Sequence, residues 1–172
     1  MALYNSDGRR KLVLLATTPT DIAAIPVATA TGGTDISDWT LKSSQVNVPS
    51  GSDTFDASVW SSRGNATAYG ASNLDGNFVI IHREYDPATM QPDATDDATW
   101  ASLKVKGTTV RFLTRKSAKL SGAAFTAGDE YRYAEYVTDD PIDESPDDGS
   151  YQKFRIPLSP SGVMSLDQLI VI

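Results

Sequence analysis

The longest apolar run in this chain is Leu12-Val13-Leu14-Leu15-Ala16, five residues, and no other exceeds four, as in Phe78 to Ile81 and Leu169 to Ile172. An amphipathic helix repeats its apolar residues over about ten or more positions, and a membrane-spanning helix needs about 20 in a row. Short runs broken by Gly, Pro, Asn and Asp are the pattern of strands and turns. The expectation is a mainly β chain, a sandwich or barrel, with no membrane-spanning helix. Met1 to Arg10 lacks the charged-then-apolar order of a secretory signal. Synthesis in a cytoplasm is therefore expected, and the sequon Asn65-Ala66-Thr67 has no secretory route to use it.

Strand candidates follow from alternation. Lys11 to Thr17 is stopped by Pro19, and Pro26 argues against a central strand over Asp21 to Ala28. Phe78 to Tyr85 follows the turn signal Asp75-Gly76-Asn77 and is apolar on both faces at its start, which suggests mid-sheet burial. Thr108 to Arg115, Tyr131 to Thr138, Tyr151 to Leu158 and Val163 to Ile172 complete the set. The apolar end is expected to be paired and buried, or docked on a neighbour. One helix is expected, at about 93–104, with Asp93 or Thr95 as N-cap, acids in its first turn, and Trp100 and Leu103 covering the sheet. With 172 residues the chain is read as a single domain, 1–172.

Ser43 to Gly76 is polar, yet carries Val46, Val48, Phe55, Val59, Trp60 and Tyr69 at intervals. A disordered linker has few such residues. The segment reads either as a long surface loop or as an extended hairpin that folds against another subunit.

Composition narrows the chemistry. The formal net charge is −7, there is no cysteine and there is one histidine, His82. A basic nucleic-acid-binding domain, disulfides, Cys-based zinc sites and multi-His metal sites are excluded. Phosphate-binding glycine loops and the nucleophile elbow are absent. His82 lies in a strand and reads as a core or satisfied surface histidine. Asp139 to Gly149 is acidic but lacks EF-hand spacing. No cofactor, metal or catalytic residue is assigned, and the chain is read as not an enzyme.

The charges fall in blocks. Lys104, Lys106, Arg111, Arg115, Lys116 and Lys119 form a basic stretch without an acid, and nine acids lie between Asp129 and Asp148 with only Arg132 among them. Such blocks pair within a fold, pair between identical subunits, or form a solvated face. Arg111, Arg115, Lys116, Lys119, Asp139, Asp140, Asp143 and Glu144 are the candidates for pairing between subunits.

Four features together resemble the major tail (tail tube) proteins of long-tailed bacteriophages, especially those of actinobacterial hosts. They are the polar arm Met1 to Arg10, the segment Ser43 to Gly76, the strand–helix–strand core Asn77 to Arg115 with its Trp-bearing helix, and the run Gly107 to Arg115 followed by Ala127-Gly128-Asp129 and a strand. The resemblance implies a β-sandwich or barrel-like fold with a flanking helix, a long extended loop at 43–76, a terminal arm at 1–10 and a C-terminal strand at 163–172. It implies a structural virion protein that assembles with itself and other tail proteins. Hexameric rings would stack into a tube through which double-stranded DNA passes without specific binding, with no membrane partner. Val46, Val48, Phe55, Val59, Trp60, Arg9 and Arg10 become candidates for contact between successive rings. The alternatives are another ring-forming tail component, such as a tail terminator or head–tail joining protein, and a carbohydrate-binding β-sandwich using Trp39, Trp60 and Tyr69.

Overall fold

The computed structural model describes residues 7–56, 67–92, 97–144 and 152–172. The strands are β1 (Arg10–Leu14), β2 (Thr34–Asp35), β3 (Gly51–Asp56), β4 (Thr67–Asn73), β5 (Phe78–His82), β6 (Thr109–Lys116), β7 (Glu130–Thr138), β8 (Ile142–Asp143) and β9 (Lys153–Leu169). Two short helices, α1 (Val27–Thr31) and α2 (Ala98–Leu103), complete the described elements. Seven strands form one antiparallel sheet in the order β2-β1-β6-β7-β9-β5, with β8 also on β9, while β3 and β4 form a separate ribbon.

The sheet has two buried faces at its centre, which is why β1, β6 and β7 read as dense apolar runs. Leu12, Val110, Phe112, Ala134 and Tyr136 point to one face, and Val13, Leu113, Tyr131 and Tyr133 to the other. Val79 and Ile81 of β5 join the first core, although β5 and β1 lie far apart in strand order. The sheet therefore curls until its outer strands share one interior, as in a barrel filled with side chains. The residues after β2 bridge the remaining gap. Ile36 N–H donates to Leu12 O at one end, and Leu41 N–H donates to Ile80 O at the other. The second face is covered by Ile25, α1, Phe125 and Ile170.

β9 departs from the sequence-based expectation. Two strands were expected over 151–158 and 163–172, and one strand of 17 residues is observed. It changes partner along its length. Lys153 to Pro157 pair with β5, and Leu158 to Leu169 pair with β7. The register slips twice against β7, where β9 carries the extra residues. Gly162 (φ +89°) and Asp167 (φ +57°) lie in those slips and supply the left-handed backbone such bulges use. Ser159-Pro160-Ser161-Gly162 thus bends a strand rather than ending one.

The helices also differ from expectation. α1 was not expected, and Pro26 is its N-cap. α2 begins at Ala98, and residues 93–96, with both proposed caps, lie outside the described residues. Asp97 makes no capping bond because its carboxylate takes a bidentate pair from Arg83, at 3.1 Å from Nε and 2.6 Å from Nη2. Leu103 is fully buried and Trp100 packs on Phe154 at 4.6 Å between ring centroids. The C-terminal end is paired, with Ile170 N–H donating to Asp129 O and Val171 N–H to Ile25 O, while Ile172 is exposed.

Gly33 stands where β2 meets β1. A Cβ there would lie 2.3 Å from Val13 Cγ1 and 2.8 Å from the Leu14 carbonyl oxygen. Gly33→Ala is expected to cost about 1–3 kcal/mol through overpacking, read as a lower urea midpoint with an unchanged slope.

Candidate assembly surface

Ser43 to Gly76 contains a hairpin. β3 and β4 pair antiparallel from Gly51↔Asn73 to Asp56↔Thr67, with a register slip between Ser52 and Thr54. Ser50 to Thr54 and Tyr69 to Ser72 are exposed, Tyr69 at 83%. β3 and β4 pack on each other, and among the described residues no other element makes more than marginal contact with them. The hairpin is an arm.

Two buried asparagines hold the base of this arm. Asn47 is fully buried with φ +55°, a left-handed conformation that Asn tolerates better than most residues. Its amide Nδ2 donates to Phe112 O at 2.9 Å, Arg132 O at 3.0 Å and Thr114 Oγ1 at 3.3 Å. Its Oδ1 accepts from the Tyr136 hydroxyl at 3.1 Å, and its N–H donates to the same hydroxyl at 3.2 Å. Asn77 is 3% exposed and acts like a strand partner for Val48. Its Nδ2 donates to Val48 O at 3.0 Å and to Leu74 O, and its Oδ1 accepts from Val48 N–H at 3.0 Å. Both stems of the arm are thus tied to the sheet. Sequence reading missed this pair. Asn77 was taken only as part of a turn signal, and the one clue at Asn47 was an amide between two valines.

The seven ring-contact candidates divide. Val46 is buried in this chain's own core, so it is not available as a contact residue. Val48 is half-buried at the arm base. Phe55 lies in β3, but its side chain is outside the described residues, as are Val59 and Trp60. Arg9 donates to Ala118 O, and Arg10 donates to Val46 O at 2.8 Å. Burial and the neighbouring Arg132 lower the Arg10 pKa. Of the aromatics considered for sugar binding, Trp39 is half-buried, Tyr69 is exposed and Trp60 lies outside the described residues.

The charge blocks meet within the chain. β6 and β7 are antiparallel neighbours with Arg111 opposite Glu135, so the two blocks are brought side by side. Arg111 lies 3.4 Å from Glu135, Lys119 lies 2.6 Å from Asp129, and Lys106 lies 2.7 Å from Asp139 and 2.8 Å from Asp140. Glu144 pairs with Arg155 at 2.6 Å. Arg115 is fully buried and is committed to its own fold. Its guanidinium donates to the carbonyls of Leu120, Ala123 and Ala124, with Asp129 at 3.7 Å. Asp143 lies in β8 opposite Phe154. Lys116 is exposed and makes no salt bridge among the described residues. Partial burial, Arg132 and Arg10 lower its pKa. The acidic stretch 139–149 is described only to Glu144.

The family model described as "Phage tail tube protein" matches residues 1–171. The chain belongs to the phage tail tube protein family. No curated protein matches the sequence. Membership makes the chain a structural component of the phage tail rather than an enzyme. The mainly β fold agrees with that family.

Three buried or half-buried carboxylates of this tail tube protein, Asp129, Glu135 and Asp35, have depressed pKa values, as does the exposed Asp139, hydrogen-bonded by Lys106. Burial by itself would raise Asp129, Glu135 and Asp35, but their partners overcome it and hold all three below their ordinary values. The partners are Lys119, Thr126 N–H and Arg115 for Asp129, Thr18, Tyr133 and Arg111 for Glu135, and Lys11 and Ser37 for Asp35. A carboxylate with a depressed folded-state pKa stabilises above its unfolded value, and that stabilisation is lost as the pH falls through the folded value. Stability is therefore expected to be flat above the unfolded values of 3.8 for Asp and 4.5 for Glu and to fall below them. Urea midpoints measured across acidic pH check this. Asp129→Asn with Glu135→Gln should flatten the curve.

Proposed function

We propose that this tail tube protein assembles with itself into stacked rings, six subunits to a ring as the resemblance implies, forming the hollow tube through which phage DNA passes. The observation that carries the reading is the β3–β4 arm, which is anchored firmly at its base and has no substantial partner among the described residues of its own chain. An unsupported two-stranded ribbon is marginal and a liability in a monomer, whereas a head-to-tail stack offers it a partner. The arm reaches the adjacent ring, with Phe55 in β3 and Val48 beside its base, and Val59 and Trp60, which follow β3 in sequence, remain contact candidates.

The charge distribution fits this role. A formal charge of −7 suits a channel that lets phosphates slide rather than holding them. Most opposite charges in β6, β7 and their flanks are matched inside the chain. The proposal therefore leaves contact between subunits to Lys116, which is exposed and makes no salt bridge among the described residues.

Negative-stain electron microscopy over a concentration series tests the reading. Hollow tubes with a regular axial repeat are expected. Isolated single rings would favour a terminator or joining role instead. In a second arm, Gly51 to Asn73 is replaced by a short glycine linker, since Ser50 N–H already donates to Asn73 O at 2.8 Å and the ends lie together. The shortened chain should remain folded by circular dichroism and form no tubes. Normal tubes from it would remove the arm from the assembly.

A further inference from the structure

An arm without support along its length is aimed only from its base. The six residues of β3 extend about 20 Å, so a swing of about 10° at the base moves the far end by roughly 3.5 Å. Contact surfaces between subunits are packed nearly as tightly as protein interiors, and a displacement of that size removes a contact rather than weakening it. The accuracy of the arm therefore depends on whatever fixes its exit from the sheet.

That fixture is made of directional bonds. Asn47 crosses the face of β6 and β7 and uses its whole amide there, reaching the Phe112 and Arg132 carbonyls and the Tyr136 hydroxyl. Its left-handed backbone sets the bend from which Val48 leaves the sheet. Asn77 then pins the Val48 peptide by both its N–H and its carbonyl, and holds Leu74 O on the returning stem. Ser50 closes the base by donating its N–H to Asn73 O. An apolar side chain of equal volume would fill either site, but it would not select one direction, because dispersion contacts are not directional and hydrogen bonds are. A fully satisfied buried amide network specifies a unique arrangement.

We infer that Asn47 and Asn77 are positioning residues that set the direction of the β3–β4 arm, and that assembly with a second copy of the chain requires this direction as well as the contacts the arm makes. The inference rests on the reading of the arm as the assembly element. Neither residue touches the partner. Both act through the backbone of Val48 and Leu74.

The chain contains no cysteine, so spin labels can be placed cleanly. One goes on the arm at Tyr69→Cys, four residues beyond the base pair of Gly51 with Asn73, and one on α2 at Ser102→Cys, both exposed positions. Pulsed electron resonance below the assembly concentration reads the distance distribution in the parent, in Asn47→Gly, which keeps the left-handed backbone accessible, and in Asn77→Ala. The same two substitutions without labels are scored for tube formation. The parent should give a narrow distribution. The variants should broaden it at least twofold and raise the concentration needed for tubes at least tenfold, while keeping cooperative urea unfolding. If Asn47→Gly does not fold, Asn77→Ala, at the edge of the core, carries the test. An unchanged distribution, or a broadened one with tubes at the parent concentration, overturns the inference. Normal tubes from the chain lacking Gly51 to Asn73 would overturn the underlying reading of the arm instead, which keeps the two failures apart.

Discussion

The ladder between β6 and β7 is the constraint from which the rest of the molecule follows. Its register places Arg111 opposite Glu135 and Phe112 opposite Ala134. A slip of one residue would turn every side chain of one strand to the other face. Both faces of this pair are buried, so a slipped register would bury Arg111 in the first core and expel Phe112 from it. The same register brings the basic and acidic blocks together. It also presents the Phe112 and Arg132 carbonyls that Asn47 bridges. Core, ion pairs and arm base therefore share one determinant.

The ion pairs are not decoration on that ladder. Arg115 is among the largest fully buried side chains, and its guanidinium takes three carbonyls of the loop after β6 as well as the carboxylate of Asp129. Burying such a group costs several kcal/mol unless its bonds are met, and here both Nη groups are bonded while Nε has no partner among the described residues. Here the bonds give an otherwise irregular loop one conformation, and Phe125 of that loop lies 5.2 Å under the guanidinium and seals the second core. Exposed pairs such as Lys106 with Asp139 and Asp140 add little by comparison.

Much of this was legible from residue pattern. The alternation in Tyr131 to Thr138 and Thr108 to Arg115 marks β7 and β6 to within a residue, because both strands obey the period of two that burial on defined faces imposes. Trp100 and Leu103 mark the buried face of α2 for the analogous helical reason. The failures have equally specific causes. Ser159-Pro160-Ser161-Gly162 carries every local sign of a turn, yet the strand continues because bulges absorb those residues and a new partner takes over. Val46 was a candidate for contact between rings because it stands in a polar segment, but tertiary packing draws it into the first core. Asn47 and Asn77 were invisible as a pair because Asn47 bonds residues more than 60 positions away and Asn77 reaches back 29 positions to Val48. The blocks of opposite charge were visible, but pairing within the chain and pairing between chains leave the same trace in sequence.

The arm itself resolves a conflict between solubility and assembly. A two-stranded ribbon is marginal alone in water and offers two free edges to any neighbour. In this chain those edges are unequal. β3 carries Asp53, whose charge blunts an edge against pairing, whereas β4 from Thr67 to Asn73 has no charge, carries the extra residue of the register slip and presents Tyr69 at 83% exposure. In the proposed head-to-tail stack the two edges need not be equivalent, since the surface one copy offers differs from the surface its neighbour receives. The buried asparagines at the base then serve solubility as well as aim, since a stiff arm explores fewer wrong partners than a loose one.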